Sequence, residues 1–169
     1  MNITTLLDKN AMSVDLKAVE KDEVLSELVN LLQVSGDIKK SEKTEILKKL
    51  KEREALGSTG IGKGIAIPHA KCPKMKKMFA SFGVSKKGID FKSLDGESAH
   101  IFFLLIAPGE TPGLHLKALA KISRLLDDRF IRDRVKLAKS SLELLEIIKE
   151  EEQKKANEKT KMVIPRDVC

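Results

Sequence analysis

The sequence predicts an α/β fold, a sheet covered by helices, and three observations carry that prediction. Stretches with apolar residues at three- and four-residue spacing alternate with short apolar runs bounded by glycine or proline. One run, Ala99 to Ala107, is almost continuously apolar, as expected of a strand buried on both faces. A third stretch crowds Gly57, Gly60, Gly62 and Gly64 just ahead of Ile65-Ala66-Ile67-Pro68-His69. Glycine at that density lets the backbone turn or approach a ligand where side chains would clash. The 169 residues suit one domain with a single core.

Taken in order, Ala11 to Val14 reads as a short strand. Lys21 to Val34 places Val24, Leu25, Leu28, Val29, Leu31 and Leu32 on one helical face, and Ser35-Gly36-Asp37 stops it. Ser41 is positioned to cap a second helix, with Glu42 and Glu45 near its positive end and Ile46, Leu47 and Leu50 as its stripe. The glycine loop follows. Ile65 to Ile67 is a short strand that Pro68 ends, because proline donates nothing to a ladder. His69 is therefore expected at the end of a strand.

Met78 to Val84 alternates as a strand, and Ile89 to Gly96 reads as a turn-rich connection before the Ala99–Ala107 strand. Pro108-Gly109 closes that strand, and Thr111 or Gly113 introduces a helix with Leu116, Leu119, Ala120, Ile122, Leu125 and Leu126 on its apolar face. Asp127 or Asp128 caps a short helix to about Ala138. Ser140 with Glu143 three residues on forms a capping box for a final helix to about Glu150. The charged stretch 151–169 is expected to be a frayed helix end or disordered. Within it, Met162 to Pro165 could dock on a surface the sequence does not name.

Composition narrows the function. The longest apolar run is far too short to span a bilayer, so no membrane insertion is expected. No signal peptide is visible, and Cys72 and Cys169 make no disulfide framework, so the expected compartment is cytoplasmic. The formal charge is +7, with Lys71, Lys74, Lys76 and Lys77 clustered just after His69. Surface lysines commonly only solubilise, but such a cluster also attracts an anionic group or an acidic partner. Nucleic acid is not an expected partner, because the basic charge comes with no recognition motif and neither tryptophan nor tyrosine.

Candidate chemistry concentrates in residues 53–72. Gly57-x-x-x-x-Gly62-Lys63-Gly64 approaches a nucleotide-binding loop, but Gly64 replaces the hydroxyl that would hold magnesium. The loop also leads from a helix into a strand, the reverse of what that motif requires. His69, Cys72, His100 and His115 offer zinc-ligand types without a second paired motif, so no metal is expected. Nothing in the sequence would stabilise a Cys72 thiolate, and His100 reads as structural.

A histidine nucleophile for phosphorus fits better. Near neutral pH the ring of His69 is partly unprotonated, so one nitrogen has a lone pair while the other must be held by an acceptor. Arg53 supplies a planar fork for phosphoryl oxygens, and Thr59 a hydroxyl amid loop N–H groups. His115, at the head of a helix, can donate to a phosphoryl oxygen. The plain alternative is that His115 is only a helix-terminal residue.

Arg53-Glu54-Ala55-Leu56-Gly57-Ser58-Thr59-Gly60-Ile61-Gly62 through Ile65-Ala66-Ile67-Pro68-His69-Ala70 resembles the active-site block of the fructose/mannitol-type enzyme IIA proteins of the bacterial phosphoenolpyruvate phosphotransferase system. Leu105-Ile106-Ala107-Pro108 with His115-Leu116-Lys117-Ala118-Leu119-Ala120 looks like the family's second block. The Gly-Ser-Thr-Gly-Ile-Gly stretch is most similar to the free-standing nitrogen-type regulatory branch. The resemblance implies one domain over about 1–150, a mixed sheet flanked by helices, with 151–169 outside it. It also implies phosphorylation of His69 by phospho-HPr or an HPr-like protein and transfer to a IIB partner, with no cofactor or metal. By motif His69 is the phosphoacceptor, His115 its active-site partner and Arg53 the phosphoryl-binding arginine, with Thr59 rather than Ser58 as a further contact. The alternative implied function is a regulator that binds target proteins according to its phosphorylation state. The sequence contains no IIB or IIC segment, so sugar uptake is expected to need separate partners.

Overall fold

The computed structural model describes residues 1–110 and 112–163. Thr111, one of the expected helix starts, and 164–169, which include Cys169 and the last two residues of the expected docking stretch, lie outside the described residues. The strands are β1 (Met12–Ser13), β2 (Gly60–Gly62), β3 (Ile65–Ala66), β4 (His69–Lys71), β5 (Phe79–Ile89) and β6 (Ala99–Ala107). The helices are α1 (Lys21–Val34), α2 (Lys43–Ala55), α3 (Pro112–Asp127), α4 (Arg129–Leu137) and α5 (Ser141–Val163). Short 3-10 turns occupy Ile3–Leu6, Lys9–Ala11 and Lys40–Glu42.

Strands β1, β5, β6, β3 and β2 lie in that order, with β4 also pairing β6. β5 runs antiparallel to β6, while β1 is parallel to β5 and both β3 and β4 are parallel to β6. The sheet is thus mixed and flanked by helices, the α/β class expected. β6 explains the two-sided core. Its odd residues Ile101, Phe103 and Leu105 face a layer built from α3, α4 and α5, with Ile122, Leu126, Ile131, Val135 and Ile148. Its even residues Phe102, Leu104 and Ile106 face α1 and α2 through Leu25, Leu28, Leu32, Ile46 and Leu50. Edge-on ring pairs lock both layers, Phe82 with Phe103 at 5.6 Å and Phe91 with Phe102 at 5.5 Å. Among the described residues no helix is long and apolar enough to cross a membrane.

Several local expectations are corrected. The Ser41 cap is not made; a 3-10 turn precedes α2, and the Glu42 carboxylate accepts from Lys39 N at 3.0 Å instead. Gly60–Gly62, expected as loop, pairs antiparallel with β3. β5 runs five residues beyond Val84, because an irregularity between Val84 and Ile89 lets Ile89 pair with Ala99 again. Asp128, not Asp127, caps α4 by accepting from Phe130 N at 2.8 Å. Ser140 accepts from Glu143 N at 3.1 Å, while the Glu143 carboxylate reaches one residue further back, to Lys139 N at 2.9 Å.

The largest difference lies at the charged end. α5 does not stop near Glu150 but continues to Val163. Its charges have partners that no local pattern displays. The Glu152 carboxylate accepts from Ile3 N at 2.6 Å and Thr4 N at 2.8 Å, and Lys155 Nζ donates to Arg124 O at 2.8 Å. Glu151, one residue earlier, is buried.

Candidate active site

The chain reaches the site by an interruption at Pro68. β3 pairs with Ile101 and Phe102 of β6, and β4 resumes on the same neighbour opposite Leu105, Ile106 and Ala107. Proline has no N–H to give, but its carbonyl accepts from Leu105 N at 2.9 Å, so the jog keeps its hold on β6. His69 therefore opens a three-residue strand rather than closing the preceding one.

That jog turns the Ile67 carbonyl towards the imidazole. His69 Nδ1 lies 2.8 Å from Ile67 O, so Nδ1 carries the proton and donates, leaving the Nε2 lone pair for chemistry. Burial pushes the His69 pKa below the ordinary imidazole value. The Ile67 hydrogen bond works against that, the nearby Arg53 and His115 charges add to the lowering, and Glu54 opposes it. Near neutral pH the ring is thus held in the unprotonated form a nucleophile needs.

Arg53 comes from the last turn of α2 and His115 from the first turn of α3. Both line a cleft of about 380 Å³ with His69, bordered by Lys49, Leu56 and Lys71. Arg53 Nη1 donates to Gly57 O at 2.9 Å, which anchors one edge of the guanidinium on the glycine turn. The structure thus brings His69, His115 and Arg53 together, as their motifs suggest.

Thr59 is placed differently. It is 4% exposed and does not line the cleft. Its hydroxyl donates to the Glu54 carboxylate, which also accepts from Thr59 N at 3.2 Å. The hydroxyl is occupied by a carboxylate next to Arg53, a neighbour that spacing alone does not reveal.

Glu54 is the functional-site residue that sequence reasoning missed. It is buried and pairs with Lys21 at 2.8 Å, and Lys21 in turn sits 4.6 Å above the Phe91 ring. Ser58 Oγ donates to Phe91 O at 2.6 Å and accepts from Gly60 N at 3.0 Å. Together these contacts hold the glycine turn that supports Arg53. A carboxylate in the last turn of a helix opposes the helix dipole, and that conflict was the available signal that Glu54 has a specific cation.

The other candidates separate. His100 Nδ1 lies 2.9 Å from Ser85 O, and its ring packs on Gly88. Cys72 is buried, with its thiol pushed up to about 11 by desolvation, so it is no nucleophile near neutral pH. Among the described residues no three His, Cys, Asp or Glu side chains converge as metal ligands do. A second hollow of about 400 Å³, near Ile3, Leu125 and Lys155, is lined by neither histidine nor cysteine.

Residues 5–151 match the family described as phosphoenolpyruvate-dependent sugar phosphotransferase system, EIIA 2. A fructose-specific EIIABC component from Bacillus subtilis (strain 168) is 36% identical over 153 residues, covering 90% of this chain and 24% of that protein. The chain thus spans about a quarter of that relative's length. A nitrogen regulatory protein from Bradyrhizobium diazoefficiens is also 36% identical over 149 residues, covering 88% of this chain and 95% of the relative. Among solved structures, nitrogen regulatory protein IIA-Ntr from Neisseria meningitidis superimposes with a TM-score of 0.79 at 27% identity, over 86% of this chain and 98% of that one.

The chain belongs to the EIIA type 2 family of the phosphoenolpyruvate-dependent sugar phosphotransferase system. Its relatives fall in two branches, sugar-specific components and nitrogen regulatory proteins.

Proposed function

We propose that this chain is a phosphocarrier whose His69 Nε2 accepts a phosphoryl group from phospho-HPr or an HPr-like protein. The carrying observation is the His69 ring itself, fixed through Nδ1 on Ile67 O, with Arg53 and His115 on the same cleft. The Nε2 lone pair forms a bond to phosphorus as the donor's P–N bond breaks, and those electrons return to the donor ring. Arg53 and His115 offer N–H groups to the phosphoryl oxygens, whose charge is spread most widely in the transition state. The same step in reverse passes the group to a IIB partner.

The test is incubation with phosphoenolpyruvate, enzyme I and HPr, then intact mass under non-acidic conditions beside the His69→Ala variant. One acid-labile phosphoryl group, missing from the variant, is the expected result. Equal labelling of the variant would overturn the assignment.

The second reading is a regulator that binds target proteins according to the phosphorylation of His69. The near-full-length match to a nitrogen regulatory protein favours it. A doubly negative group placed in a cleft lined by Lys49, Arg53, Lys71 and Glu52 cancels the local positive charge, which is a physical route to such switching. Transfer to any IIB protein supports the carrier reading; a partner released on phosphorylation, without such transfer, supports the regulator.

A further inference from the structure

Helices α3 and α5 turn matched stripes towards each other. On α3, Lys121, Arg124 and Leu125 share a face through their spacing of three and four. On α5, Glu152, Lys155, Ala156 and Lys159 do the same. With Asn2 and Ile3 these stripes enclose the hollow of about 400 Å³. All of its α5 lining lies beyond residue 151, where the family match ends, and its α3 lining lies on turns after the one that carries His115. No residue lines both this hollow and the His69 cleft.

Three of the lining charges hold the walls. The Glu152 carboxylate accepts from Ile3 N at 2.6 Å and Thr4 N at 2.8 Å, which fixes the N-terminal wall against α5. Lys155 Nζ donates to Arg124 O at 2.8 Å and ties α5 to α3, while Lys121 Nζ donates to Met1 O. The floor is apolar, with Ile3 and Leu125 both buried, and Met162, 88% exposed, completes the lining. Two cations are left over. The side chains of Arg124 and Lys159 have no hydrogen-bond or ion-pair partner among the described residues.

An apolar floor beside uncommitted cations suits a ligand with an aliphatic chain and an anionic head. A planar guanidinium takes a carboxylate through two parallel N–H···O bonds, which Arg124 is free to make. The lining also contains Glu152 and Glu158, which repel a doubly charged head more than a singly charged one. We propose that the hollow binds a medium-chain aliphatic carboxylate, its chain over Ile3, Leu125 and Ala156 and its head on Arg124 and Lys159. The hollow's volume falls in the range of small-ligand sites. A nucleotide fits less well, because no aromatic ring lines the hollow to stack a base. The site stands apart from the phosphocarrier reading and does not rest on it.

Decanoate is the probe, titrated into the full chain by calorimetry below its micelle concentration, with methyl NMR to report where it sits. One saturable site with a dissociation constant of about 0.1 mM is expected, and the Ile3 and Met162 methyl signals should move with occupancy. Arg124→Gln should weaken binding about 10-fold, and Ala156→Phe, which fills the hollow, should abolish it. Both positions are exposed, so the fold does not depend on them, and a thermal melt of each variant checks this. Decyltrimethylammonium, with the same chain and the opposite charge, should bind about 10-fold more weakly than decanoate. Equal affinity for the cationic probe, tighter binding of decyl phosphate, or unchanged affinity in either variant would each overturn the proposal. So would the absence of saturable heat and methyl shifts. Sedimentation with phosphatidylglycerol vesicles that decanoate does not compete away would reassign the hollow to a membrane surface and equally refute it.

Discussion

His69 and His100 make an instructive pair. Each stands near the start of a strand, half-buried, with Nδ1 within 3 Å of a backbone carbonyl, Ile67 O at 2.8 Å and Ser85 O at 2.9 Å. The tether is the same and the surroundings are not. Around His100 the other side of the ring meets Gly88, where an added Cβ would lie 2.9 Å from Nε2. Around His69 the ring shares a cleft with Arg53 and His115. Fixing a tautomer is therefore common to both histidines; what separates them is whether the ring is walled in by Gly88 or lines a cleft shared with Arg53 and His115.

The sharpest way to break the comparison is to exchange losses. His69→Ala should remove all phosphorylation, whereas His100→Ala should leave its extent unchanged and lower the thermal midpoint by a few degrees, since the Ser85 carbonyl loses its partner. Intact mass and thermal melts on both variants give the answer. If the two losses came out alike, the cleft would not be what distinguishes the rings.

Next in size is the cation. Arg53→Lys should slow single-turnover acceptance about 100-fold, because an ammonium cannot both hold Gly57 O and present a second edge to phosphate. A rate within a few-fold of the parent would show that Arg53 contributes charge alone.

The support beneath Arg53 gives a smaller effect. Lys21→Met leaves the buried Glu54 without its cation, and the Lys21 head is itself partly solvated. A loss of about 2 kcal/mol in denaturant unfolding is expected, below the full cost of breaking a fully buried pair. Lys17→Met, which breaks an exposed pair with Asp15, should fall within experimental error and serves as the contrast.

The smallest effect is in pH. Because burial lowers the His69 pKa, phosphoryl acceptance should stay level as pH falls through the ordinary imidazole range and drop only below it. The sign for stability is the same: the folded state binds the proton less readily than the unfolded chain. This contribution is therefore complete above the unfolded pKa and is lost as pH falls through the folded value. A ring titration by NMR that placed His69 above the ordinary value would contradict the desolvated environment.

Much of this arrangement is legible in the sequence where a single element declares itself. Lys21–Val34 and Ala99–Ala107 have the bounds their apolar patterns predict, because each buries a face or both faces through its own residues. His69, Arg53 and His115 stand out through residue type and motif. What stays hidden depends on contacts between distant segments. Gly60–Gly62 has almost no side chain to advertise a strand, and it becomes one only because β3 folds back on it. The Thr59 hydroxyl looks available for phosphate until packing gives it to Glu54. α5 looks too charged beyond Glu150, because its key acceptor, Glu152, meets donors almost the whole chain away.

That last contact has a consequence for how the molecule assembles. Glu152 bound to Ile3 and Thr4 closes a ring of about 150 residues, and ring closure over such a separation becomes favourable only after the intervening chain is compact. The seam between the two ends should therefore zip last in folding and exchange its amide hydrogens first, while β6 between them stays protected until the whole domain opens.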